Sequence, residues 1–204
     1  MRPTPAARGR LQPWHAVVLF VVTSLAFVAP AFLHGPTLGA VDIVTSFAPY
    51  DERTPDPAPA DNALQGDQAI QLSLPAEFWA GVRGGDLQLW EPDIAGGTPL
   101  LPAVYNRILS PLNWPHAVLP APWAPTAAAF LGVLLAQLGT YALARRLGFG
   151  VAGAALAGVG YAFSGPLASF TLRFHEFFLL PAWLFSIHGL VTDDRRRWGL
   201  AALP

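Results

Sequence analysis

The chain of 204 residues has no cysteine. Disulfides and thiolate-ligated metal sites are therefore excluded. It also has no lysine, so its 12 basic residues are all arginine. With 21 Pro and 19 Gly this reads as a compositional bias, and no function is drawn from it. Charge of either sign is scarce: 12% of residues are charged, against about 25% in soluble domains. The net charge of -1 leaves no basic surface for a nucleic-acid partner. Phosphate-binding, dinucleotide-binding and nucleophile-elbow patterns are missing too. What fills the chain instead is apolar: 53% of residues, with a mean hydropathy of +0.40. That composition points to an all-α integral membrane protein.

Long charge-free runs set the boundaries. Residues 1–13 read as a cytoplasmic tail and 14–33 as a first transmembrane helix, twenty residues without Asp, Glu or Arg. Ala29-Pro30-Ala31 offers a signal-peptide cleavage site as the rival reading. Residues 34–122 form a long extracytoplasmic loop, followed by helices at 123–144, 149–170 and 171–192. In the third, Gly150, Ala154 and Gly158 recur every four residues, a small-residue face that permits close packing in lipid. Ser164-Gly165-Pro166 breaks or kinks it, and Pro181 kinks the fourth. The fourth run is short unless it starts near Thr171 with Arg173 snorkelling outward. Residues 193–204 read as a cytoplasmic turn and the start of a fifth span, so an amino-terminal portion of a longer protein is expected.

Within the loop, residues 51–61 are polar and proline-rich. Two short helices are expected next, Gly66–Leu74 and Pro75–Arg83, the second ended by Gly84-Gly85. Phe78 and Trp79 suit a position at the membrane interface, and a small soluble cap is the alternative. The stretch "GGDLQLWEPDIAGGTPLL" (84–101) follows neither a helical nor a strand period. Leu89, Trp90 and Leu100 are expected to pack beneath a loop shaped by Gly96-Gly97. Glu91 and Asp93 are expected to be solvated at its rim.

The order of these elements carries a resemblance. "NALQGDQ" (62–68), Pro75, Phe78, Gly85, "LWEP" (89–92), "GGTPL" (96–100), "SPLNW" (110–114), "ALARRLG" (142–148) and "YAFSG" (161–165) follow one pattern. It resembles the amino-terminal part of the bacterial YfhO-like family of multi-pass membrane proteins, related to the GT-C membrane glycosyltransferases. The chain departs from that family in length, since members carry many more spans. The resemblance implies GT-C-like amino-terminal helices in the bacterial cytoplasmic membrane, with the first outer loop beside a lipid-facing cavity. It implies transfer of a sugar from a polyprenyl-phosphate donor to a cell-envelope acceptor, with membrane lipids as the surroundings. Such transfer needs a base, and Asp67 or Asp42 is the candidate. Their plainer readings are a helix-start acid and a solvated loop acid. Arg173, His175 and Glu176, in "LRFHEFF", are the candidates for holding the donor phosphate, or else an interfacial anchor. The remaining histidines lack metal-ligand spacing, so no metal site or cofactor is assigned, although some GT-C relatives use a divalent ion. The alternative function is a non-catalytic membrane scaffold or lipid-binding transport component.

Arginine placement predicts orientation. Arg2, Arg8, Arg10, Arg145, Arg146 and Arg195 to Arg197 fall on one side, the cytoplasm by the positive-inside rule. The cysteine-free chain makes this testable with single introduced thiols. A thiol at position 60 should react with a membrane-impermeant reagent in intact spheroplasts and one at 148 should not; the converse pattern would reverse the orientation.

Overall fold

The computed structural model describes residues 11–39, 42–48, 51–53, 67–93, 96–101, 107–169 and 175–193, apart from the side chains of 67–71 and 193. These residues fold mostly as helix, and the strands among them form a single two-stranded ladder. They fall into two compact units. One gathers Met1–Ala26, Val133–Ser169 and Glu176–Pro204; the other gathers Phe27–Gly132 and Phe170–His175.

Helix α1 covers Pro13–Val28, with proline in its first turn where no backbone donor is lost. It pauses at Ala29, and Pro30 then opens the short helix α2, Pro30–His34. Together they run 22 residues, long and apolar enough to cross a membrane. A second helix of that kind runs Ala124–Arg146 over 23 residues.

In the first unit, the amino-terminal part of α1 packs Ala16 and Phe20 with Ala155, flanked by Leu134, Leu138, Tyr141 and Val159. The polar residues sit inside. Gln137 is fully buried, its Nε2 donates to Ser24 Oγ at 2.9 Å, and its Oε1 accepts from Thr23 Oγ1 at 2.8 Å. Val17, Val18, Leu19, Val22 and Leu25 face outward. Apolar outside and polar inside is the reverse of the usual pattern of a surface helix in a soluble domain.

The small-residue face packs closely at Ala154 and Gly158 but not at Gly150. At Gly158, within the helix Val151–Ala162, a Cβ would stand 2.8 Å from the Gln137 carbonyl oxygen and 3.0 Å from the Phe20 ring. Ala154 is fully buried, whereas Gly150 is the N-cap. At 12 residues this helix is only about 18 Å long. It stops at Phe163-Ser164, and a short helix, Gly165–Ser169, follows with Pro166 at its second position. The last described helix is His175–Asp193, with Pro181 inside it. Gly139 supplies a close approach that the sequence reading did not single out: a Cβ there would lie 2.9 Å from the backbone nitrogen of Ala182.

In the second unit, helix α3 runs unbroken from Asp67 to Arg83 with Pro75 inside. The two short helices expected from the sequence are therefore one. Pro75 removes a single backbone bond, and its burial among apolar neighbours offsets that loss. Glycines end the helix: Gly84 N donates to the Ala80 carbonyl at 3.0 Å, and Gly85 takes φ +80°. The chain then forms the hairpin β1 Trp90–Glu91 and β2 Thr98–Pro99, with Trp90 opposite Pro99 and Glu91 opposite Thr98. Gly96 and Gly97 take φ +76° and +115° in its turn.

The apolar cluster beneath consists of Leu74, Phe78, Leu100 and Ile108, with Trp79 against it. Leu100 is fully buried as expected. Trp90 and Leu89 are not: they are 54% and 48% exposed. The Trp90 ring lies across Gly97, where a Cβ would come within 2.5 Å of it. The indole thus covers the turn of its own hairpin, and Leu100 takes the core position. Elsewhere in this unit, Thr126 Oγ1 donates to the Pro36 carbonyl at 2.6 Å and accepts from Leu38 N at 3.0 Å. Thr37 Oγ1 donates to the Pro122 carbonyl at 3.1 Å. The segments that open and close the long loop are thereby joined at one place.

The Gly158 contact is with backbone, which cannot rotate away. Gly158→Ala should destabilise the protein by about 1–3 kcal/mol, the usual cost of overpacking. Gly160→Ala, with nothing within 4 Å, should not. Detergent-solubilised melting temperatures check this, and equal values for the two variants would refute the close approach.

Candidate functional site

The sequence-nominated residues take distinct places. Asp42 opens a 3-10 turn, Asp42–Ser46. Its Oδ1 accepts from Ile43 N at 3.1 Å, and its carbonyl accepts from Thr45 Oγ1 at 2.7 Å. Asp67 is the first residue of α3, where a carboxylate favours the positive helix end. Its side chain lies outside the described set, as does all of Arg173. His175 opens the last described helix and is 5% exposed. Its Nδ1 lies 2.9 Å from Ser110 Oγ. Glu176 follows, half-buried.

The partner of His175 comes from the "SPLNW" stretch. Ser110 caps a 3-10 turn, Pro111–Asn113, its Oγ accepting from Leu112 N at 3.4 Å. Buried Asn113 donates from Nδ2 to the Arg107 carbonyl at 2.8 Å. Arg107 has φ +41°, a left-handed backbone uncommon outside glycine. Loop backbone and histidine are therefore fixed by the same turn. Sequence order separates Ser110 and His175 by a long stretch, so no local pattern could pair them.

A second cluster was not anticipated. Glu91 on β1 is 4% exposed, contrary to the solvated position expected for it. Its Oε1 accepts from Asp93 N at 3.1 Å and its Oε2 from Gln88 Nε2 at 3.4 Å. Its carboxyl also meets that of Glu77 on α3. Asp93 is exposed, as expected. Partial burial, the hydrogen bond to Glu91, and the charges of Glu91 and Asp93 push Glu77 up to about 7. The signal that could have found the pair is position. Glu77 precedes core residue Phe78 on α3, and Glu91 alternates with outward Trp90 on a strand.

The third feature joins α3 to the short helix α4, Pro115–Val118. The Arg83 guanidinium donates to the His116 carbonyl. His116 is 3% exposed, and its Nδ1 has no hydrogen-bond partner. Burial first, and the Arg83 charge second, lower its pKa to about 4, so the imidazole is neutral at physiological pH. Among the described residues no three His, Asp or Glu side chains are grouped to hold a metal ion.

No family profile, curated protein or solved structure matches the chain.

The His116 arrangement has a pH consequence. A histidine lowered from 6.5 to about 4 is harder to protonate folded than unfolded. Its contribution to stability is present above about 6.5 and is lost as pH falls towards 4. Melting temperature should therefore climb across that interval, and His116→Asn should flatten the climb. An unchanged slope in the variant would show that His116 is not the titrating group.

Proposed function

We propose that the chain is the amino-terminal part of a multi-pass protein of the bacterial cytoplasmic membrane, related to GT-C glycosyltransferases. It transfers a sugar from a polyprenyl-phosphate donor to an acceptor in the cell envelope. Two helices long and apolar enough to span a membrane support the membrane half of this reading. So does the outward apolar face of α1 over buried Ser24 and Gln137. The bonds from Thr126 to Pro36 and Leu38 let the long loop leave and re-enter on one side.

One observation carries the catalytic half: the 2.9 Å contact between His175 and Ser110. Sugar transfer needs a base and a cationic phosphate holder together. That contact joins His175, two residues after Arg173 in sequence, to Ser110 of the long loop. In the proposed reaction, a loop carboxylate takes the proton of the acceptor hydroxyl. The acceptor oxygen attacks the anomeric carbon as its bond to phosphate breaks. The polyprenyl phosphate departs with the bonding electrons, and the Arg173 guanidinium offsets its charge. His175, held by Ser110, orients that end of the site.

The test uses the complete reading frame in membranes, with a radiolabelled polyprenyl-phosphate sugar. Asp67→Asn or Asp42→Asn should cut transfer by about 10²–10⁴-fold while donor binding survives. Arg173→Ala should weaken donor binding first. If both Asp variants fold and keep full transfer, the loop-base mechanism is wrong and a non-catalytic scaffold or lipid-binding transport component becomes the better reading.

A further inference from the structure

Helix α4 turns one side inward and the other out. Its His116 is buried, whereas Trp114 before it and Val118 at its end are exposed. From there the chain runs through six consecutive apolar residues, Val118 to Trp123, and every one of them is exposed. Val118 alone is 79% exposed. The end of α2 lies against the end of this run. The Phe32 ring stands 5.3 Å from that of Trp123, and Leu33 is 78% exposed. Single exposed apolar side chains are ordinary on a soluble surface, but a contiguous apolar stretch marks a contact with something apolar.

The backbone of the run narrows the kind of contact. Pro120 and Pro122 have no N–H to satisfy. Leu119 N donates to the Pro115 carbonyl at 2.8 Å, and Trp123 N to the Pro120 carbonyl at 3.0 Å. The Pro120 carbonyl accepts again from Ala124 N at 3.2 Å, and the Pro122 carbonyl accepts from Thr37 Oγ1 at 3.1 Å. A loop facing water has no need of such pairing, whereas one against acyl chains must satisfy its own polar groups. Charge points the same way. No Asp, Glu or Arg occurs in 11–41 or 108–144, the two stretches that meet at Phe32 and Trp123. A protein interface carries a polar rim, and neither stretch supplies a charged residue for one. The two helices long and apolar enough to span a membrane also meet this patch: Pro13–His34 ends just after Leu33, and Ala124–Arg146 starts just after Trp123.

We propose that the Val118–Trp123 run, with Phe32 and Leu33, is a lipid-contacting surface that seats the second unit at the boundary between headgroups and acyl chains. Trp114 and Trp123 suit that depth, because indole joins an apolar body to a polar N–H. The interfacial contact expected on α3 thereby moves to α4 and the run after it, since Phe78 of α3 is in the core. The inference rests on the membrane part of the proposed function and is independent of sugar transfer.

Another exposed apolar stretch of this unit, around Leu87, differs in its surroundings. Arg83, Asp86 and Asp93 flank it in sequence and are exposed themselves. Charged groups beside it resist transfer out of water, so Leu87 is expected to stay in the aqueous phase.

The cysteine-free chain allows one environment-sensitive fluorophore at a time, on Val118→Cys, Ala121→Cys, Leu87→Cys or Val22→Cys. All four positions are exposed, so none of these changes touches a core. The full chain is reconstituted in phosphatidylcholine vesicles whose acyl chains carry bromine either near the headgroup or near the methyl end. Labels at 118 and 121 should lose more emission to the shallow bromine than to the deep one. The label at 87 should lose emission to neither. Val22 on α1 reports on insertion itself, and its label should be quenched. Quenching at 22 without quenching at 118 and 121 would leave the membrane reading standing and overturn the lipid-contacting run. No quenching at any position would overturn both. Equal quenching at 87 would remove the assignment to this run. Labels at 118 and 121 that are shielded from aqueous iodide yet indifferent to bromine would show a protein partner there, and the proposal would fall.

Discussion

Gln137 is the residue on which the helical unit depends. A primary amide has two donor hydrogens and an acceptor oxygen, and at a fully buried position water cannot serve them. Here Nε2 meets Ser24 Oγ at 2.9 Å, with the Phe20 and Val133 carbonyls each at 3.4 Å, and Oε1 meets Thr23 at 2.8 Å. Thr23 has one hydroxyl proton, so Gln137 competes for it with the Leu19 carbonyl at 2.9 Å and the Phe20 carbonyl at 3.1 Å. That competition bounds the net contribution, about 0.5–1.5 kcal/mol for a typical intramolecular hydrogen bond. The larger effect is on register. A one-residue slide would turn Ser24 away from the amide, which no apolar pair would resist. Gly158 against the Gln137 backbone fixes the same level from the other side, because only a residue without Cβ fits there.

The loop unit is built on a different basis. Its apolar cluster contains Leu74, Phe78, Leu100 and Ile108 with Trp79 alongside. A core of that size leaves much of the work to polar anchors placed at the segment ends. Thr126 fixes the loop's first and last segments, and Arg83 ties α3 to the start of α4. Ser110 ties the final turn to His175, and Leu100 packs the end of the hairpin against α3. Each of the polar anchors joins residues distant in sequence.

This difference explains what could be read without coordinates. Helix α1 and the Ala124–Arg146 helix were legible because long apolar runs and flanking arginines act locally. The Ser164-Gly165-Pro166 break and the Gly96-Gly97 turn were legible because glycine and proline restrict or free the backbone at their own position. Gly158 followed from spacing alone. Pro75 misled because the cost of one missing hydrogen bond is local, while the burial that offsets it is tertiary. Trp90 misled in the same way. Its size marked it for a core, but the bare Gly97 surface lay closer. The acids were the least legible. The only signal for Glu77 and Glu91 was position, beside Phe78 and Trp90, and isolated acids in a polar loop normally remain solvated.

Two titrating groups in the loop unit pull in opposite directions, and their overlap decides how it behaves. His116 favours the fold more as pH rises from about 4 to 6.5, whereas Glu77 favours it less from 4.5 to about 7. Between 4.5 and 6.5 the two slopes oppose each other. His116 is nearly inaccessible and Glu77 is exposed, so solvent screens the glutamate more strongly and the histidine dominates overall stability. The two groups also sit at different joins: Glu77 lies on α3 beside the charges of Glu91 and Asp93, and His116 lies where the Arg83 guanidinium meets its carbonyl, between α3 and α4.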